Sequence, residues 1–209
     1  MKTKTSILFI VTSLLTIHLA SAQMLRKKIG KSVEVLRTQI NTLPKEKINE
    51  LDQVAFKIYK NCYNNSDASV LFIDQTNTQN SQLAMIWLKT GLAYYAIDIN
   101  VQSAGVSLEN KPISNLNSLS DYGFVIKTPS NEKPNLYTVI YGRSGSWSVF
   151  PKALSDIKKN NPMDIKIIVD KALNDKGIAL MKLELNEEDI PLQIIYIAAQ
   201  LDHLIKNKI

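Results

Sequence analysis

The sequence predicts an α/β protein of three layers, with a mainly parallel sheet of four to five strands, helices on both faces and two helices ahead of the sheet. Short apolar runs rich in β-branched residues alternate with longer segments of helical periodicity, an order typical of parallel sheets. Residues 1–22 have the pattern of a leader, and about 187 of the 209 residues follow it. That length is sufficient to bury one large core without disulfides.

The leader has the three parts of a secretory signal peptide. Lys2 and Lys4 precede an apolar run, residues 7–20, that is short for a membrane span, and Ala20-Ser21-Ala22 matches a small-residue cleavage site. We expect cleavage after Ala22 and a secreted or periplasmic protein. No membrane anchor is expected after cleavage, because no later apolar run is long enough to span a bilayer. Cleavage removes Lys2 and Lys4 from a formal net charge of +6, which leaves +4.

Two amphipathic helices are predicted in an N-terminal extension, residues 23–66, that packs on the core. The first has apolar residues at helical spacing over residues 25–43, and the second runs over about 45–61. Cys62 follows the second helix and is the one cysteine of the chain. We expect it to be a small core residue. A single cysteine also excludes a disulfide relay, which needs further cysteines.

An α/β domain is expected to cover residues 67–209 and to begin with a buried strand at 70–73. A polar loop, 74–80, follows this strand, and Ser81 is expected to cap the next helix. That helix should pack one apolar face on the sheet. The face consists of Leu83, Ala84, Ile86, Trp87 and Thr90.

Six later segments complete the predicted order. Apolar runs predict strands at 101–105, 123–127, 136–142, 165–170 and 179–185, and an amphipathic helix at 191–206 begins with Pro191. The segment GRSGSW, residues 142–147, is interpreted as a turn between strands with an exposed Trp beside an Arg.

The loop after the first strand has the design of an oxyanion site. It joins the C-terminal end of a strand to a helix N-terminus, where free backbone N–H groups and the helix dipole favour an anion. Ligands of parallel sheets also bind at this end of the strands. The candidate ligand-binding residues are Asp74, Gln75, Thr76, Asn77, Thr78, Gln79, Asn80 and Ser81.

At these residues the chain resembles the low-molecular-weight protein tyrosine phosphatase and arsenate reductase family. The family's phosphate loop follows a VLF-type strand as Cys, five residues, Arg and then Ser. Here Asp74 stands at the position of the Cys and Asn80 at that of the Arg, while Asn77 and Ser81 match the family's Asn and Ser. The resemblance therefore implies the family's fold with a degenerate loop.

Other segments extend the resemblance over roughly residues 36–207. SQLAMIWLKTGLAYYAI, residues 81–97, is similar to the family's first long helix, and VQSAG, residues 101–105, to its second strand and turn. DYGFVIK, FPKALSD and the closing helix resemble a longer branch of the family that carries extra N-terminal helices.

The resemblance implies phosphoryl chemistry that the substitutions remove. In the family a thiolate attacks phosphorus while the Arg clamps two phosphoryl oxygens. Asn80 is neutral and short, and Asp74 places a carboxylate where phosphate would sit, a repulsion of roughly 4 kcal/mol at about 4 Å and an effective dielectric of about 20. We expect no catalytic residue, no cofactor and no metal. The Asp74 carboxylate is expected to accept the loop N–H groups itself.

The expected function is recognition, with an unknown protein or a small anionic ligand as partner. The alternative is an enzyme of altered chemistry that uses Asp74 as nucleophile or base and Asp189 as acid. Asp189 is one residue removed from Pro191, and with Glu187 and Glu188 it also fits an acidic helix start. A third interpretation is an interaction protein whose interface is residues 24–62.

Two further classes of function are disfavoured. A strand that ends in Asp also begins haloacid-dehalogenase-type phosphatases, but Thr76 stands where they need a second Asp, and a lone carboxylate is a poor Mg²⁺ site. Nucleic acid is not an expected partner, because the basic residues lack an aromatic-interleaved patch. With His18 in the leader, His203 is the remaining histidine, and its place near the end of the last helix suits the helix dipole.

Overall fold

The computed structural model describes residues 25–157, 164–171, 173 and 181–208. The predicted signal peptide, residues 1–22, lies outside the described residues, so secretion stays a prediction. No helix in the described ranges is both long enough and apolar enough to cross a bilayer.

The described chain contains seven strands, of which four form a parallel sheet. The strands are β1 (Ser69–Asp74), β2 (Asn100–Gly105), β3 (Val125–Lys127), β4 (Tyr137–Ile140), β5 (Ser146–Val149), β6 (Ile165–Ile168) and β7 (Met181–Lys182). The parallel sheet has the order β2-β1-β6-β7, and β1 pairs with both β2 and β6. Every residue of β1 is buried, as expected for a central strand. The predicted α/β class is therefore confirmed.

The remaining strands, β3, β4 and β5, form a separate antiparallel sheet. Strands were predicted near β3 and β4, and the predicted turn at 142–147 does connect β4 to β5. The expectation of an exposed Trp in this turn is wrong. Trp147 belongs to β5 and is half-buried, because its ring stacks on Tyr141 at 4.1 Å between centroids.

Four α-helices are described: α1 (Lys27–Gln39), α2 (Lys45–Cys62), α3 (Asn80–Tyr95) and α4 (Ile190–Asn207). The predictions of two helices ahead of the sheet and of a closing helix are confirmed. Cys62, at the end of α2, is 2% exposed, which confirms its expected place in the core. A 3₁₀ turn, Glu187–Asp189, leads into α4, and Pro191 lies in its first turn, so the acidic helix start is also confirmed.

The two faces of the sheet are covered differently. Val70 and Phe72 of β1 share a large core with buried side chains from all four helices. On the other face, Leu71 and Ile73 belong to a smaller cluster that is packed by the 3₁₀ segment Leu154–Asp156 and its neighbours. Because α1 and α2 contribute to the large core, the N-terminal helices pack directly on the sheet domain; the boundary at residue 66 stays a prediction.

Helix α3 differs from the predicted helix with one apolar face. Residues all around it are buried, because it packs against β1 and β2 on one side and α4 on the other. Gly91 permits the close approach of α4, since a Cβ there would lie 2.4 Å from the Cβ of Ala198. A helix that is covered on every side has little amphipathic pattern, which explains the error.

Candidate functional site

The candidate site is the loop of residues 75–79 between β1 and α3. From β1 the chain passes to β2 on one side and later returns to β6 on the other. The loop therefore lies at the carboxyl ends of the strands where the strand order reverses, the place at which open α/β sheets bind ligands.

The Asp74 carboxylate fills the centre of this loop and is 1% exposed. Its Oδ1 accepts the backbone N–H of Thr76 at 3.1 Å and that of Asn77. Its Oδ2 accepts the Ser81 backbone N–H at 3.0 Å and the Ser81 hydroxyl at 2.7 Å. A bound oxyanion would accept hydrogen bonds from the same donors. The contacts confirm the expectation that Asp74 accepts the loop N–H groups.

Asn77 connects the loop to the helix and to a distant segment. Its backbone has a φ of 57°, a left-handed conformation that Asn tolerates better than most residues. The Nδ2 group donates to Ser81 Oγ at 2.9 Å, and Oδ1 accepts the backbone N–H of Lys152 at 2.9 Å. Asn77, Ser81 and Asp74 thus form one chain of hydrogen bonds that ends on the carboxylate.

Ser81 is not the helix cap that the sequence predicted. Helix α3 begins at Asn80, and its N-cap residue Gln79 makes no side-chain capping hydrogen bond. The Ser81 hydroxyl is engaged by Asp74 instead. Because Asp74 also accepts the Ser81 N–H, a carboxylate from the preceding strand performs the role of the missing cap.

The loop packs tightly on the last residue of β2, Gly105, and on the segment that follows it. A Cβ at Gly105 would lie 2.6 Å from the carbonyl carbon of Thr76 and 2.7 Å from the backbone nitrogen of Asn77, so the backbone can approach only a glycine. Beyond it, the Ser114 N–H donates to the Thr78 carbonyl at 2.8 Å. These contacts hold the loop in place without a ligand.

Asn80, at the position of the family's Arg, does not contribute to the centre of the loop. Its Nδ2 donates to the carbonyl of Leu185 at 2.8 Å and holds the segment ahead of α4. Gln75 and Gln79 are exposed. Of the eight predicted residues, the structure therefore assembles Asp74, Asn77 and Ser81 with the backbone of Thr76.

Asp189 lies apart from this assembly. It is exposed and accepts a hydrogen bond from Asn186 at 3.3 Å. No hydrogen bond among the described residues joins it to Asp74. The enzyme alternative needs an exposed Asp74 next to Asp189, and the buried Asp74 offers no such pair. His203 is likewise remote in α4, where its exposed ring lies 3.1 Å from Asn207 Nδ2.

Gln82 is a buried residue of the site that sequence analysis missed. Its Nε2 donates to the Asn77 carbonyl at 3.1 Å, to Asn77 Oδ1 at 3.0 Å and to the Phe150 carbonyl at 3.0 Å. Its Oε1 has no partner in the described structure. The signal was a long polar side chain in an otherwise apolar helical segment.

No protein-family model matches the chain, and no curated protein matches it. Among solved structures, the chain is similar to a thioredoxin-dependent arsenate reductase of Corynebacterium glutamicum, with 18% sequence identity and a TM-score of 0.35 over 86% of this chain and 95% of that chain. At this level of similarity no activity follows for the chain. The α/β fold rests on its own strand order and register.

Proposed function

We propose that the chain is a secreted, catalytically inactive relative of the low-molecular-weight phosphatase and arsenate reductase family, and that it acts as a binding or interaction module. The degenerate loop motif and the strand–loop–helix geometry around Asp74 support the relationship. The leader pattern of residues 1–22 supports secretion.

One observation carries the proposal: the Asp74 carboxylate occupies the place of the anion. Both of its oxygens are bonded within the loop, and the side chain is buried. A phosphate or arsenate ion would have to displace these bonds and approach a like charge. We therefore expect the wild-type loop to reject free oxyanions.

The chain also lacks a thiol that could replace the missing nucleophile. Cys62 is buried in the core, and burial, together with the charge of Asp164, raises the pKa of its thiol to about 11. At neutral pH the thiol is protonated, whereas attack on phosphorus or arsenic requires the thiolate.

The test is an assay of p-nitrophenyl phosphate hydrolysis and arsenate reduction with the wild-type chain and the Asp74→Asn variant. Asp74→Asn removes the charge and keeps the shape. We expect no turnover by either protein above the buffer rate. Turnover by the wild type that Asp74→Asn abolishes would contradict the proposal and support an enzyme that uses Asp74.

Secretion has its own test. Expression of the full chain with its leader should yield an exported protein whose N-terminal residue is Gln23. A protein that stays in the cytoplasm with residues 1–22 attached would remove secretion from the proposal and leave the binding role to be tested separately.

A further inference from the structure

A second candidate site lies at the opposite end of the parallel sheet from the Asp74 loop. A cavity of about 650 Å³ opens between the end of α3, the start of β2 and the β4–β5 hairpin. Its size is in the range of pockets that hold small organic molecules. The residues that matter most for its chemistry are Lys89, Ala96, Asp98, Tyr141 and Trp147.

Lys89 is a half-buried cation in the wall of this cavity. Its Nζ lies 5.9 Å from the centroid of the Trp147 ring, and Trp147 in turn stacks on Tyr141. No carboxylate in the described ranges lies within ion-pair distance of Lys89. Asp98 lies on the cavity rim, where it is exposed, and forms no ion pair with Lys89.

A second ammonium group increases the positive potential at Lys89. Burial lowers the pKa of Lys89, and the charge of Lys152 lowers it further. Burial also lowers the pKa of Lys152, which has no ion-pair partner in the described part of the chain either. A partly desolvated ammonium group that also feels the charge of a second one is unfavourable, and its cation–π contact compensates for only part of that cost. An anion at Lys89 would relieve this cost.

The apolar part of the cavity limits what kind of anion fits. Ala96 and the half-buried Trp147 ring present apolar surface in the wall, so an ion without an apolar portion would leave this surface uncovered. We infer that the cavity binds a small organic anion, with its charged group at Lys89 and its flat apolar portion against the Trp147 ring. This site is independent of the Asp74 loop and of the function proposed for that loop.

Isothermal titration calorimetry with benzoate tests the inference directly. Benzamide is the matched neutral probe, and inorganic sulfate is the matched anion without an apolar portion. We expect saturable benzoate binding, with benzamide and sulfate each at least about tenfold weaker. Lys89→Gln should weaken benzoate binding by about tenfold or more. Lys127→Gln, at an exposed lysine of β3, should leave it unchanged.

Three results would overturn the inference: no saturable benzoate binding, equal binding of benzoate and benzamide or sulfate, or unchanged benzoate binding by a folded Lys89→Gln variant. If circular dichroism shows that Lys89→Gln is unfolded, Lys89→Met, which keeps most of the length of the side chain and removes the charge, takes its place with an expected loss of at least about tenfold. Asp74→Asn separates the two sites. Benzoate binding should survive this substitution, and its loss would place the anion at the loop instead.

Discussion

The Ser81 hydroxyl lies 2.7 Å from Asp74 Oδ2, and the Ser81 backbone N–H donates to the same oxygen at 3.0 Å. One carboxylate oxygen thus joins the end of β1 to the first turn of α3. In an oxyanion-binding loop these donors would face a ligand. Here a side chain of the protein itself takes that place, and the loop is complete without a ligand.

Replacement of Asp74 by Ala should destabilise the protein. The substitution leaves the N–H groups of Thr76, Asn77 and Ser81 without their acceptor, and hydrogen bonds to a charged group are stronger than neutral ones. We expect a loss of about 2 to 4 kcal/mol in the free energy of unfolding, measured by urea denaturation. Asp121→Ala, at an exposed aspartate, is the control and should change stability by less than about 0.5 kcal/mol. Equal stability of Asp74→Ala and wild type would show that the carboxylate does not support the loop.

Replacement of Gly105 by Ala should disturb the loop from the side of β2. The new Cβ would lie 2.6 Å from the Thr76 carbonyl carbon, so backbone must shift. We expect a loss of about 1 to 3 kcal/mol. Gly30→Ala is a matched control, because a Cβ there meets nothing within 4 Å and lies in α1, where Ala favours the helix. It should be neutral or stabilising by up to about 1 kcal/mol. Similar effects of both substitutions on thermal unfolding would refute the tight packing of the loop on β2.

Two substitutions at Asn77 should separate backbone strain from side-chain bonding. Asn77→Gly keeps the freedom to adopt a positive φ and removes the amide that bonds Ser81 and Lys152. Asn77→Ala removes the same amide and adds strain. We expect both substitutions to destabilise the protein. In chemical denaturation, the free energy of unfolding of Asn77→Ala should be about 1 kcal/mol lower than that of Asn77→Gly. An Asn77→Gly variant that is as stable as the wild type would mean that the amide contacts of Asn77 do not stabilise the protein.

The Cys62 thiol should make stability fall at alkaline pH. Its pKa is 9.0 without the folded environment and about 11 in the core, where burial is the main cause and the charge of Asp164 the second. Between these values the folded chain binds more protons than the unfolded chain, so stability is complete below pH 9 and declines as pH rises toward 11. The decline attributable to this group is about 2 to 3 kcal/mol.

The matched variant for this prediction is Cys62→Ala. It should be less stable at neutral pH because it leaves a small cavity, but the difference from wild type should narrow between pH 9 and 11. Urea denaturation at several pH values measures this difference in the free energy of unfolding. A difference that stays constant across this window would show that the thiol does not titrate with folding.

The sequence predicted the parallel sheet and its helices well where the signal is local and strong. The run at 70–73 is fully apolar, as a central strand must be, and α1 and α2 have clear helical periodicity. The antiparallel pairing of β3 with β4 was not predictable in the same way. These strands are short and half-exposed, so their apolar pattern is too weak to indicate a pairing.

The candidate site was predictable in type but not in detail. Asp74 could be expected to accept loop N–H groups, because it stands next to a helix N-terminus. The role of Gln82 and the bond from Lys152 to Asn77 depend on the approach of residues 150–152, which no local pattern indicates. The contact of Lys89 with Trp147 likewise joins α3 to β5, far apart in sequence.

The most direct test of the filled loop is the thermal unfolding midpoint of wild type and Asp74→Ala, measured against increasing phosphate, sulfate, arsenate and tungstate. A ligand that binds the folded state raises the midpoint in a saturable way. We predict no saturable rise for the wild type, and a lower starting midpoint with a saturable rise for Asp74→Ala, because the vacated donors become free for an oxyanion. A saturable rise for the wild type, or an Asp74→Ala variant that is destabilised and responds to none of the four ions, would contradict the role assigned to Asp74.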